Sequence, residues 1–137
     1  MIQREVAQRI CAEHNTAEYG AFTVFCRWHT DAELLFSVPP SCFIPQPKVT
    51  SSVIRLTKRS APPVEVKDEA LLFRVVRAAF NQRRKTLVNA LSSGLGLDKA
   101  FLEKVLQKCG FDVRIRGETL SIEQFAQISD EIAVNLL

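Results

Sequence analysis

Residues 78 to 87, Ala78-Ala79-Phe80-Asn81-Gln82-Arg83-Arg84-Lys85-Thr86-Leu87, carry an apolar pattern of helical period straight into three consecutive cations. Leu72, Val75, Val76, Ala79 and Phe80 share one side at that period, so the spacing predicts a helix over 69–82. Arg74 and Arg77, with Asn81 and then Arg84 if the helix continues, fall within an arc of about 80° on the other side. From Ala70 to Leu97 there are five bases and no acid, which exceeds the net charge of +3 for the whole 137 residues. Residues 1 to 69 hold eight bases and eight acids, and residues 98 to 137 hold five bases and seven acids. A mildly basic average therefore conceals a single basic block. That is the distribution of a localised polyanion contact, nucleic acid first, with a solvated helix surface as the plainer reading. Arginine predominates, and its planar fork suits bidentate phosphate contacts.

Working outward, the length suits one domain with a core, or a small domain beside part of another. Cys11, Cys26, Cys42 and Cys109 show no C-x-x-C spacing, so neither a zinc site nor a disulfide framework is indicated, and reduced cytosolic thiols are the simplest reading. No apolar run reaches the ~18 residues of a membrane span, and the first residues lack the pattern of a signal peptide. A cytoplasmic protein is expected.

Toward the N-terminus, Ile2, Val6, Ile10 and Cys11 predict an amphipathic helix over 2–14, which begins at once without an N-cap. Ala21 to His29 and Glu33 to Val38 are rich in strand-forming residues and separated by Asp31-Ala32, so they are expected to pair as antiparallel neighbours. A third strand is expected over 50–56. Before it, four prolines within residues 39 to 47 fix an extended loop that cannot join a sheet. Residues 58 to 67 look like a linker, after which the pattern is helical: 69–82, 84–93, 98–109 and 121–136. Asp98 is placed to cap the third of these, and Ser121 with Gln124 forms a capping box for the last.

Other chemistry is sparsely signalled. His14 and His29 have no carboxylate or cysteine at ligand spacing, Gly94-Leu95-Gly96 follows a helix rather than a strand, and Asp68-Glu69 and Asp130-Glu131 decorate helices. Phe43 stands apart. Held in the proline-locked loop, it either stacks on an unstacked base or packs beneath its own loop, and spacing alone does not choose.

The segments Ile2-Gln3-Arg4-Glu5-Val6-Ala7-Gln8-Arg9, Tyr19-Gly20, Val38-Pro39-Pro40, Phe43 to Leu56 and Ala79 to Leu87 resemble, in order and spacing, the KsgA family of ribosomal RNA adenine dimethyltransferases. The F-x-P-x-P-x-V-x-S pattern is shared with the related Erm methyltransferases, and A-F-x-Q-R-R-K-T points to the KsgA branch. The resemblance implies an S-adenosylmethionine-dependent enzyme that dimethylates N6 of two adjacent adenosines near the 3′ end of small-subunit ribosomal RNA, in a 30S-type pre-ribosomal particle, with no membrane or metal partner. It implies that Phe43 stacks on the target adenine, and that Arg74, Arg77, Arg83, Arg84 and Lys85, with Lys48 from the loop, contact RNA.

The family's Gly-rich cofactor motif, acidic ribose-binding residue and N-L-P-Y segment do not occur in these residues, so the resemblance covers the family's C-terminal half. The expected fold is α/β followed by all-α. Residues 1–60 would form the C-terminal strands of a Rossmann-like methyltransferase sheet, and residues 61–137 a small helical domain that binds ribosomal RNA. Such a partial sheet is expected to leave an unpaired edge and an uncovered apolar face. Catalysis by this chain alone is not expected, and a non-catalytic RNA-binding module is the alternative.

Overall fold

The computed structural model describes residues 1 to 136, which divide into two compact units. The first comprises residues 1–13 and 17–63, and the second residues 14–16 and those from 64 onward.

In the first unit, β1 (Ile2–Gln3) leads into α1 (Arg4–Ile10), then α2 (Ala21–His29), β2 (Thr30–Val38) and β3 (Ser51–Lys58). The sheet order is β1-β3-β2, with both outer strands antiparallel to β3. Two expectations are corrected here. The helix expected from residue 2 starts at Arg4, because Ile2 and Gln3 pair with Ser52 and Ser51. More importantly, the strand expected over 21–29 is a helix. Its β-branched and aromatic content suggested a strand, but Val24 and Trp28 lie four residues apart and are both buried, as is Thr23. Thr23 Oγ1 accepts from the Gly20 amide at 3.1 Å and donates to the Arg9 carbonyl, tying α2 to the end of α1. Periodicity and capping outweighed intrinsic strand preference. Asp31 and Ala32 are consequently strand residues rather than a turn, and the antiparallel partner of β2 is β3. A cross-strand pair of Arg55 and Glu33 supports that register, which slips at a bulge between Leu34 and Phe36. Phe22, Phe25, Leu34, Phe36 and Leu56 are exposed, Phe36 by 57%.

The second unit contains α3 (Glu69–Asn81), α4 (Leu87–Leu95), α5 (Lys99–Lys108) and α6 (Ile122–Leu136). Each start has a local chemical cause. Asp68 accepts from the Leu71 amide, Thr86 from Asn89 and Asp98 from Phe101. Ser121 and Gln124 exchange bonds of 2.9 and 3.2 Å in a reciprocal capping box. Leu72, Val75, Val76 and Ala79 of α3 are buried together with Leu87, Leu91, Leu102, Leu106, Phe125, Ile128 and Ile132. Helices α3 and α4 approach closely: a Cβ built on Gly94 would lie 2.5 Å from the Ala78 Cβ. Gly96 ends α4 at φ +68°, the left-handed conformation in which glycine has no Cβ penalty.

Candidate nucleic-acid interface

Helix α3 stops at Asn81, one residue short of the cations, since Gln82 leaves helical geometry at φ −128° and ψ 65°. Residues 82–85 form a turn closed by the Lys85 amide on the Gln82 carbonyl at 3.0 Å. Arg84 is therefore not part of a helical stripe with Arg74, Arg77 and Asn81, as continuous periodicity had suggested. Arg74 and Arg77 are exposed on α3, while Arg84 and Lys85 are exposed on the turn.

Arg83 is placed differently from its two neighbours. Its Nε lies 3.3 Å from Glu118 Oε2, its Nη2 donates to the Thr16 carbonyl at 3.2 Å, and its guanidinium lies 5.8 Å from the Phe80 ring centre. Arg116 Nη2 donates to the Arg83 carbonyl at 3.1 Å, and Arg116 Nε lies 3.6 Å from Glu118 Oε1. Arg83 thus anchors the turn. Arg84 and Lys85 form no ion pair among the described residues.

Beside the turn, a hollow of about 560 Å³ is lined by Gln82, Arg84, Lys85, Asn89, Ser93 and Lys99, among others. Gln82 Nε2 donates to Ser93 Oγ at 3.1 Å, while its buried Oε1 has no hydrogen-bond partner. A lining of cations, hydroxyls and side-chain amides suits a phosphodiester chain better than an apolar molecule. Lys99 carries no sequence signal for this site, since only the packing of α5 on α4 brings it beside Arg84 and Lys85.

Phe43 and Lys48 belong to the first unit. The chain leaves β2 at Val38, makes one 3₁₀ turn at Pro40–Cys42, and holds Phe43 extended at φ −120° and ψ 151°, half-buried, with its amide on the Pro40 carbonyl at 3.1 Å. Ile44 beyond it is fully exposed, and Lys48 is exposed. No group of three or more potential metal ligands occurs among the described residues, and no helix there is long and apolar enough to cross a membrane.

The family model described as ribosomal RNA adenine dimethylase matches residues 1–134. The chain belongs to that family. It is 54% identical over 132 residues to ribosomal RNA small subunit methyltransferase A of Clostridium acetobutylicum, covering 96% of this chain and 48% of that protein. Against the protein of the same description from Bacillus cereus strain B4264 it is 46% identical over 140 residues, covering 100% of this chain and 48% of the other. The chain thus spans about half the length of these curated relatives. Among solved structures, a dimethyladenosine transferase from Plasmodium falciparum superposes with a TM-score of 0.74 at 19% identity, over 92% of this chain and 53% of that one. The 23S rRNA methyltransferase ErmE superposes with a TM-score of 0.63 at 22% identity, over 96% and 52%. At such identities the superpositions establish the fold alone.

Proposed function

We propose that this chain is the RNA-gripping half of an rRNA adenine N6,N6-dimethyltransferase acting on two adjacent adenosines near the 3′ end of small-subunit ribosomal RNA. The observation that carries the reading is the family match over residues 1–134, joined to a turn that presents Arg84 and Lys85 without ion-pair partners at a hollow lined by polar residues. On this reading the helical unit holds RNA through Arg74, Arg77, Arg84, Lys85 and Lys99, with Arg83 fixing the turn. The loop of the first unit offers the Phe43 ring to the target adenine, with Lys48 on a nearby phosphate. Both contacts need only a base face and a phosphate, so together they position RNA without reading its sequence.

S-adenosylmethionine supplies the methyl group in such enzymes. None of the five glycines here follows a strand, where a Gly-rich turn would let the backbone approach a cofactor. The residues present do not build that cradle, and no step is assigned to them through it. Their roles are to bind RNA and orient a base.

The test is titration of the chain with RNA copying the 3′ end of the small-subunit rRNA, with calorimetry against S-adenosylmethionine alongside. RNA binding that weakens steeply with salt, without cofactor binding, is the expected result. Absence of RNA binding would overturn the proposal. Stoichiometric cofactor binding would sink the second reading, a non-catalytic RNA-binding module, which the lack of a strand-following Gly turn favours for this chain alone.

A further inference from the structure

Strand register brings three segments together at one end of the sheet, because Gln3 and Val38 both pair with Ser51. The carboxyl ends of β1 and β2 and the amino end of β3 therefore adjoin. The chain leaves this end through Arg4 and through the Phe43 loop, and returns through Thr50.

Here lies a cavity of about 240 Å³ lined by Gln3, Arg4, Glu5, Lys48, Val49 and Thr50. The Arg4 amide donates to the Thr50 carbonyl at 3.0 Å, fixing one wall against the other. Arg4, Glu5 and Lys48 are exposed, and none of the three is in an ion pair among the described residues. A lining that carries two unpaired cations and one unpaired carboxylate is poorly matched to a bare anion, which Glu5 would repel, and to a cation, which Arg4 and Lys48 would repel. A ligand that is anionic at one end and a hydroxyl donor at the other satisfies all three. The volume lies below the ~300 Å³ at which pockets begin to enclose a whole drug-sized ligand, so a sugar-phosphate fits with its base left outside.

We infer that this cavity holds the ribose-phosphate of an RNA nucleotide adjoining the base on which Phe43 stacks, with the phosphate between Arg4 and Lys48 and the ribose 2′-hydroxyl donating to the Glu5 carboxylate. The inference rests on the proposed RNA-facing role of the Phe43 loop. It adds a positioning subsite that distinguishes RNA from DNA, since only RNA has the hydroxyl that Glu5 accepts.

The experiment titrates the chain with a fluorescent single-stranded RNA and with its all-deoxy counterpart. Arg4→Ala and Lys48→Ala should each weaken RNA binding about tenfold and flatten the log–log salt slope by about 0.7, with the same loss for DNA. Glu5→Leu, which has no acceptor and no charge to oppose the phosphate, should leave DNA affinity equal or higher while removing most of the preference for RNA. Thermal melting checks that each variant is folded. If an alanine variant melts early, chemically altered RNA on the wild-type chain decides. A single neutral methylphosphonate linkage and a single 2′-deoxy substitution should then weaken binding most at the same nucleotide. Full RNA affinity in both alanine variants, or no shared sensitive nucleotide, overturns the subsite while leaving the chain's RNA binding standing. Displacement of RNA by an equal concentration of AMP overturns it in favour of a free-nucleotide site. Failure of the wild type to bind RNA at all overturns the underlying reading, and the subsite with it.

Discussion

Arg83 and Glu118 form an ion pair, Nε to Oε2 at 3.3 Å, across 35 residues of sequence, with Arg116 on the other oxygen of the same carboxylate. The middle of three consecutive cations and the first therefore have different work to do. Arg83→Ala should lower stability by about 1 kcal/mol, a modest loss because the guanidinium is 38% exposed. Arg84→Ala should leave stability within about ±0.5 kcal/mol. Thermal melting of the two variants checks the contrast, and equal melting shifts would remove the anchoring role.

RNA affinity should divide the other way. Replacing Arg84 and Lys85 together with Ala removes two phosphate contacts, so the slope of log K against log salt should fall in magnitude by about 1.4–1.8. Titrations at several salt concentrations measure it directly. An unchanged slope would refute phosphate binding at the turn.

Phe43→Ala should weaken binding of single-stranded RNA by about 1–3 kcal/mol, and Phe43→Trp should retain it, because any aromatic face can stack. Its neighbour Cys42 provides a reporter. Cys42 is exposed, whereas burial pushes the thiols of Cys11, Cys26 and Cys109 up and so reduces their reactive thiolate. Maleimide should label Cys42 first, and bound RNA should slow that labelling. Mass spectrometry of peptides with and without RNA tests both statements.

Gly94→Ala should be costly, since the added Cβ meets the Ala78 Cβ at 2.5 Å and the two helices must separate. A loss of about 1–3 kcal/mol is expected. Denaturant unfolding measures it, and an unperturbed midpoint would show that the α3–α4 contact is looser than described. The opposite substitution, Ala78→Gly, placed in the Gly94→Ala background should recover part of the loss.

Acid should weaken the junction of α5 and α6. Glu131 is held below the ordinary glutamate value of 4.5, chiefly by the hydrogen bond from Lys108, whose Nζ is 2.8 Å away, with Asn135 adding another. A carboxylate lowered on folding contributes stability that is complete above 4.5 and is lost as pH falls through the lowered folded value. Glu131→Gln should therefore flatten the acid limb of stability between 4.5 and the lowered folded value without altering the limb near neutrality. An NMR titration of the Glu131 carboxyl gives the same answer independently, and a midpoint at or above 4.5 would contradict it.

How much of this was legible in the residues depends on the range of the cause. The helical unit declares itself locally. Asp98 and the Ser121–Gln124 box cap the helices that their positions foretell, and Leu72, Val75, Val76 and Ala79 face inward as their period requires. Where composition and period disagree, as in Ala21 to His29, the Phe, Val, Thr and Trp content points to a strand. The Thr23 bonds to Gly20 and Arg9 and the burial of Val24 and Trp28 produce a helix. The two residues of β1 are too short to carry a pattern, and their pairing with Ser51 and Ser52 is set by the sheet. In the candidate site, the exposure of Arg84 and Lys85 follows from local charge. The diversion of Arg83 to Glu118 and the arrival of Lys99 depend on long-range packing that no spacing encodes.

The central position of β3 also sets a timetable. Because the last strand of the three in sequence lies between the other two, neither β1 nor β2 has a partner within the described sheet until Ser51 to Lys58 has been synthesised. Ile2 waits for Ser52, fifty residues later. At roughly 5–20 residues per second on the ribosome, that interval lasts several seconds. Leu34 and Phe36 of β2 are made late in that interval, and they remain available to chaperones and to neighbouring nascent chains until their partners Ile54 and Val53 follow. The unit can close only after its middle has been made.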